Sequence, residues 1–118
     1  MTLFTTKPSY ASAERPVFEV YAVSTSASEC AFRFGPGVVH VLVSQRGRVV
    51  WNSAECRPAA TNEVRMQRGV PAEMSVTWNR HAPYGCRGWL VGHPTGRFTA
   101  TARSGAQSSP ATDFELVP

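Results

Sequence analysis

Val41-Leu42-Val43-Ser44-Gln45-Arg46-Gly47-Arg48-Val49-Val50-Trp51 is the stretch that decides the fold of this 118-residue chain. Val39, Val41 and Val43 alternate with His40 and Leu42. Successive side chains of a strand point to opposite faces, so a period of two marks a strand with one face in a core. The apolar Leu42 among the alternate positions suggests cover on the other face too. Gln45-Arg46-Gly47-Arg48 then reads as a turn, after which Val49 and Trp51 resume the alternation. Strand, glycine turn and strand predict a β-hairpin.

The same period runs outward from the hairpin. Phe18, Val20 and Ala22 alternate with Glu19 and Tyr21, and Phe32 and Phe34 flank Arg33. Downstream, Val64 and Met66 oppose Glu63, Arg65 and Gln67. Met74, Val76 and Trp78 oppose Glu73, Ser75 and Thr77. Phe98, Ala100 and Ala102 oppose Arg97, Thr99, Thr101 and Arg103, and Phe114 and Leu116 flank Glu115. No segment sustains helical spacing. Nine glycines and nine prolines punctuate the chain, and helix interiors tolerate neither.

Strands are therefore expected at 17–23, 30–34, 38–45, 48–52, 62–67, 72–79, 96–103 and 112–117. That spacing predicts an all-β, immunoglobulin-like β-sandwich of about eight strands. Shared alternation places Phe18, Val20, Phe32, Val41, Trp51, Val64, Met74, Val76, Trp78, Phe98 and Phe114 in or near its core. Residues 1–15 read as a flexible N-terminal lead-in, since 5–14 is polar, and 16–118 as the sandwich domain.

Composition narrows the function classes. Hydrophobic residues make up 42%, enough for a core. The net charge of +4 invites a nucleic-acid partner, but Lys7 is the only lysine and the arginines are dispersed. A nucleic-acid site wants a basic stripe interleaved with stacking aromatics, so none is expected. No run of 18 apolar residues offers a transmembrane helix. Residues 1–10 lack the basic start and apolar run of a signal peptide. Membrane attachment would need an anchor that this chain does not contain.

Catalytic signatures are missing from the sequence. Asp113 is the only aspartate, and no nucleophile elbow, P-loop or dinucleotide fingerprint occurs. A triad needs nucleophile, base and orienting carboxylate, so no enzyme, catalytic residue or cofactor is expected. His81, Cys86 and His93 match no zinc spacing and lack a fourth ligand; no metal is expected. The long irregular stretch 79–94 is different. Loops of that length are often functional, and Tyr84, Arg87 and Trp89 are of the types enriched at interface hot spots. They are the candidate partner-binding residues, in what should be the most mobile internal segment. Tyr21, His40 and Leu42 are a second candidate, as residues of a face not fully covered by the core.

The order of motifs carries a family resemblance. The hairpin ending in Val50-Trp51 is followed by Val64-Arg65-Met66-Gln67-Arg68-Gly69 and Met74-Ser75-Val76-Thr77-Trp78-Asn79. Pro94-Thr95-Gly96-Arg97-Phe98-Thr99-Ala100-Thr101-Ala102 completes the series. It resembles the BsuPI-type proteinase-inhibitor domain and the Ig-like domain of flagellar hook-capping proteins over roughly 17–117. Trp51-Asn52-Ser53-Ala54-Glu55-Cys56 is also similar to a segment of small actinobacterial cell-envelope domains.

The resemblance implies a noncatalytic extracytoplasmic module, secreted or membrane-anchored, that binds a protein or cell-wall partner or acts as a spacer. The alternative it implies is a BsuPI-like proteinase inhibitor. Envelope domains of this kind carry cysteines at the places of Cys30 and Cys56, which implies a disulfide between them with Cys86 unpaired. A Cys56–Cys86 bridge is the rival pairing. The families also keep a glycine at the place of Gly96, which implies a backbone conformation open mainly to glycine.

Overall fold

A computed structural model describes residues 1–23, 33–35, 38–56, 64–65, 69–78, 80, 95–105 and 107–118. The hairpin forms as expected. Strands β5 (His40–Gln45) and β6 (Arg48–Asn52) pair antiparallel and close on Gln45 opposite Arg48, with only Arg46 and Gly47 between. Both turn residues have positive φ, 53° and 78°, as in the mirror-image turns whose twist matches that of paired strands.

This hairpin forms one edge of the larger sheet. β9 (Gly96–Ser104) pairs with β5, β11 (Thr112–Leu116) with β9, and β2 (Ser9–Tyr10) with β11, while β10 (Gln107–Ser108) folds back on β9. Every pair is antiparallel except β2 with β11. The second sheet has the order β1 (Thr2–Thr5), β3 (Val17–Ala22), β8 (Ala72–Thr77), all antiparallel. β4 (Arg33–Phe34) and β7 (Val64–Arg65) pair separately. A short 3-10 turn, Ser53–Cys56, follows β6. Asn52 Oδ1 accepts the Ala54 N–H at its start, and Ser53 Oγ accepts the Val41 N–H, both within 2.9 Å. The described residues contain no α-helix; the protein is all-β, two sheets packed face to face.

Between the sheets the aromatic residues close a ring. Trp51 lies 6.0 Å from Trp78, Trp78 5.9 Å from Phe98, Phe98 5.7 Å from Phe114, Phe114 5.4 Å from Phe18, and Phe18 6.4 Å from Trp51, centroid to centroid. Phe18 and Trp78 come from the three-stranded side and the others from the larger sheet. All five are buried. Such pairs contribute about 0.5–1.5 kcal/mol each beyond their area. Val20, Val41, Val43, Ala100 and Ala102 fill the space around them. Met74 and Val76 pack against this core at half-burial. Phe32 and the side chain of Val64 fall outside the described residues.

Two expectations need correction. Residues 1–15 are no lead-in: β1 pairs with β3, β2 pairs with β11, and Leu3 and Tyr10 are buried in the core. The chain crosses from one sheet to the other between them, over residues 6–8. The Tyr10 hydroxyl staples this crossing, lying 2.9 Å from Thr6 Oγ1, accepting from Lys7 N and donating to the Val17 carbonyl. The segment looked polar because only Leu3 and Tyr10 are fully buried, with Met1 packed partly against the core. Val49, in turn, does not share a face with Trp51. Val43 pairs with Trp51 and Ser44 with Val49, so Val50 is an extra residue in β6. A bulge reverses the alternation, which leaves Val49 50% exposed.

Candidate functional site

Of the sequence candidates, Tyr84, Arg87, Trp89, His81, His93, Cys30 and Cys86 lie outside the described residues, as does the side chain of Cys56. The expected partner loop and the expected disulfide lie outside them with these residues. Arg80, near the start of that loop, is described and buried. Its Nη1 donates to the carbonyls of Ala11 and Glu14 at 2.7 and 3.2 Å, and burial pulls its pKa below the ordinary arginine value. Arg80 thus holds the turn between β2 and β3 in place. Glu14 closes that turn through the Ala11 N–H at 2.9 Å and pairs with Lys7. The hydrogen bond from Ala11, then that from Lys7, holds its carboxyl below the usual glutamate range.

Tyr21, His40 and Leu42 do not share a face. Tyr21 is on β3 and the other two on β5, so they point away from the core on opposite sides of the molecule. The outer side of the larger sheet is a mixed surface. Arg103 stands opposite His40, Glu115 opposite Arg97, and Asp113 opposite Thr99, so charges of both signs alternate with hydroxyls.

The outer side of β1-β3-β8 is organised differently. Register sets Phe4, Glu19 and Ser75 in one row across the three strands, and Thr2, Tyr21 and Glu73 in the next. Phe4 is 53% exposed and meets the Tyr21 ring edge to face at 5.8 Å. The Tyr21 hydroxyl donates to Glu19 Oε2 at 2.7 Å. That hydrogen bond, then burial, then the charges of Glu19 and Glu73 push the phenol pKa up to about 12. Tyr21 is therefore a fixed donor at neutral pH, not a base or nucleophile. Glu19, Tyr21, Glu73, Met74 and Ser75 line a shallow depression of about 360 Å³. None of the outward positions of β1, β3 and β8 is a lysine, arginine or histidine.

The alternation singles out Tyr21 and sets Glu19 and Glu73 opposite the apolar side of their strands, with Phe4 inside the expected lead-in. Their alternation was visible; their adjacency was not, because it depends on the pairing of three strands distant in sequence. Chemically, this face offers two acceptor groups, one fixed hydroxyl and two aromatic rings. Among the described residues no group of three or more His, Cys, Asp or Glu is placed to hold a metal ion.

The sequence matches no known family profile and no curated protein. Solved structures share the fold. The β-glucosidase EmGH1 from Erythrobacter marinus is similar over 99% of this chain, with TM-score 0.63 and 16% identity. A β-glucosidase from Listeria innocua matches over 98%, with TM-score 0.63 and 15% identity. The alkylpurine DNA glycosylase AlkC of Pseudomonas fluorescens, bound to DNA containing an abasic site analogue, matches over 98% with TM-score 0.55 and 14% identity. The chain spans 15%, 16% and 29% of these proteins, respectively. At such identities the likeness concerns the fold alone.

Proposed function

We propose that this chain is a noncatalytic immunoglobulin-like module of the bacterial cell envelope, displayed outside the cytoplasm, that binds a protein or cell-wall partner. The observation that carries the binding role is the outer face of β1-β3-β8, where an exposed Phe4 and a half-buried Tyr21 adjoin two carboxylates over a shallow depression. Strand order supports the immunoglobulin-like reading. β3 beside β8, and β11-β9-β5-β6 in sequence, follow the two-sheet order of such domains, with the N-terminal strand divided between sheets. The same fold occupies a minor part of a β-glucosidase and of a DNA glycosylase. A scaffold shared by unrelated chemistries brings no activity of its own. The extracytoplasmic setting rests on the resemblance to actinobacterial envelope domains and on the Cys30–Cys56 bridge it implies, since such bonds persist in oxidising compartments.

Sedimentation of the purified chain with isolated actinobacterial cell walls, and separately with envelope membranes, tests the binding role. Saturable retention on one of them is expected, with loss in a Phe4→Ser/Tyr21→Ser variant that keeps its melting temperature. Retention indifferent to those changes removes this face from the reading. Near-stoichiometric suppression of a serine-protease panel replaces the reading with that of a proteinase inhibitor. Peptide mapping of unreduced protein should recover Cys30 linked to Cys56.

A further inference from the structure

We infer that the outer face of β1-β3-β8 docks an arginine-bearing segment of a partner protein, with the guanidinium held between Glu19 and Glu73 beside the Tyr21 ring. This rests on the reading of the chain as a binding module and names the chemistry of what it binds.

The geometry begins with the register. Glu19 is opposite Ser75, and Glu73 is opposite Tyr21, so the two glutamates are diagonal neighbours on adjacent strands. The Cα atoms of diagonal pairs lie about 7–8 Å apart, close enough for two flexible glutamate side chains to reach one planar guanidinium with a hydrogen bond each. The Tyr21 hydroxyl donates to Glu19 and also lies close to Glu73, so it orients the first carboxylate while both keep further lone pairs free to accept. Phe4, edge-on to Tyr21 and 53% exposed, extends the aromatic surface over the next strand. Three strands at about 4.8 Å spacing make the patch roughly 10 Å wide, the footprint of one side chain and its neighbours.

Charge selects the occupant. The chain carries +4 overall, yet the outward positions of these strands hold two carboxylates and no cationic residue. The face is locally complementary to a cation. A metal ion would want a cage of oxygen ligands, whereas here aromatic rings flank a pair of carboxylates. Rings and carboxylates together suit a guanidinium, which stacks on an aromatic face and hydrogen-bonds in its own plane. The concavity lined by Glu19, Tyr21, Glu73 and Ser75 gives it a seat.

The test is an NMR titration of the isotopically labelled chain with an N-acetylated, C-amidated peptide of alternating arginine and threonine. Saturable shifts at Phe4, Glu19, Tyr21 and Glu73 are expected. Affinity should fall at least ten-fold when citrulline replaces arginine, and likewise in a Glu19→Gln/Glu73→Gln variant. Both positions are outward, so the variant should keep its melting temperature; the single Glu73→Gln variant serves if it does not. Affinity unchanged in the folded variant, shifts centred on His40 and Leu42, or no saturation at millimolar peptide overturns the inference. So does calcium chloride alone producing the same shifts. Failure here with continued retention on walls or membranes removes the arginine site and leaves the module reading standing. Peptide binding that survives the loss of all envelope retention does the reverse.

Discussion

Thr112 Oγ1 donates a 2.8 Å hydrogen bond to the carbonyl oxygen of Leu3, tying the last strand of the larger sheet to the first strand of the smaller one. The two residues are 109 positions apart, and the bond closes the seam where the sheets meet. Replacing Thr112 by valine keeps the shape and removes the donor. A loss of about 1 kcal/mol is expected, read as a lower urea midpoint, with Thr112→Ser retaining most of it. A valine variant as stable as the parent would show that the seam is held by packing alone.

Tyr10 makes a parallel case at the sheet crossing. Its hydroxyl is within hydrogen-bonding distance of Thr6 Oγ1, Lys7 N and the Val17 carbonyl. Tyr10→Phe should cost about 1–3 kcal/mol and speed amide exchange of β1 and β2 ahead of the other strands. Uniform acceleration throughout the protein would contradict a local staple.

Gly96 adopts φ +108°, and a Cβ built there would meet only Gln45 Nε2, at 3.4 Å. The obstacle to a side chain is backbone strain, since that Nε2 terminates a flexible group that donates to the Thr95 carbonyl at 3.0 Å. Gly96→Ala is expected to destabilise by more than about 1 kcal/mol. Gln45→Ala in the same background should restore little. Substantial rescue would mean that crowding, not φ, requires the glycine.

Trp51 is buried in the aromatic ring, and its indole Nε1 has no hydrogen-bond partner among the described residues. An unsatisfied buried donor costs about 1–3 kcal/mol. Trp51→Phe removes that cost while opening a small cavity, so the two effects should largely cancel. Trp51→Ala should cost about 3–5 kcal/mol. Equal losses in the two variants would disprove the compensation.

Tyr21 supplies the pH dependence. Its phenol, held by Glu19 and then by burial and the two glutamate charges, ionises only at about 12. A folded-state value above the unfolded one favours the neutral form. Its contribution to stability is therefore complete below the ordinary tyrosine value near 10 and is lost as pH rises toward about 12. Ring-carbon NMR shifts should show Tyr21 titrating late, and earlier in Glu19→Gln. Titration of the parent at the ordinary value would refute the arrangement.

Much of this architecture is written in local order. The period-two alternation in β3, β5, β9 and β11 identifies the inward residues Phe18, Val41, Phe98 and Phe114, because a strand exposes successive side chains to opposite faces. Gly47 in the hairpin turn and Gly96 before Phe98 mark positive-φ positions that few other residues fill. Tertiary structure alone decided three other things. The extra residue at Val50 turned Val49 outward, because a bulge depends on how two strands register and not on either strand's pattern. Leu3 and Tyr10 became core residues because their partners, Val20 and Leu116, come from later in the chain. Phe4, Glu19, Tyr21 and Glu73 became one surface because β1 and β8, some 70 residues apart, pair with the same strand. Alternation tells each residue which side of its strand it occupies; only non-local pairing, driven by burial of a shared core, decides which strands stand side by side.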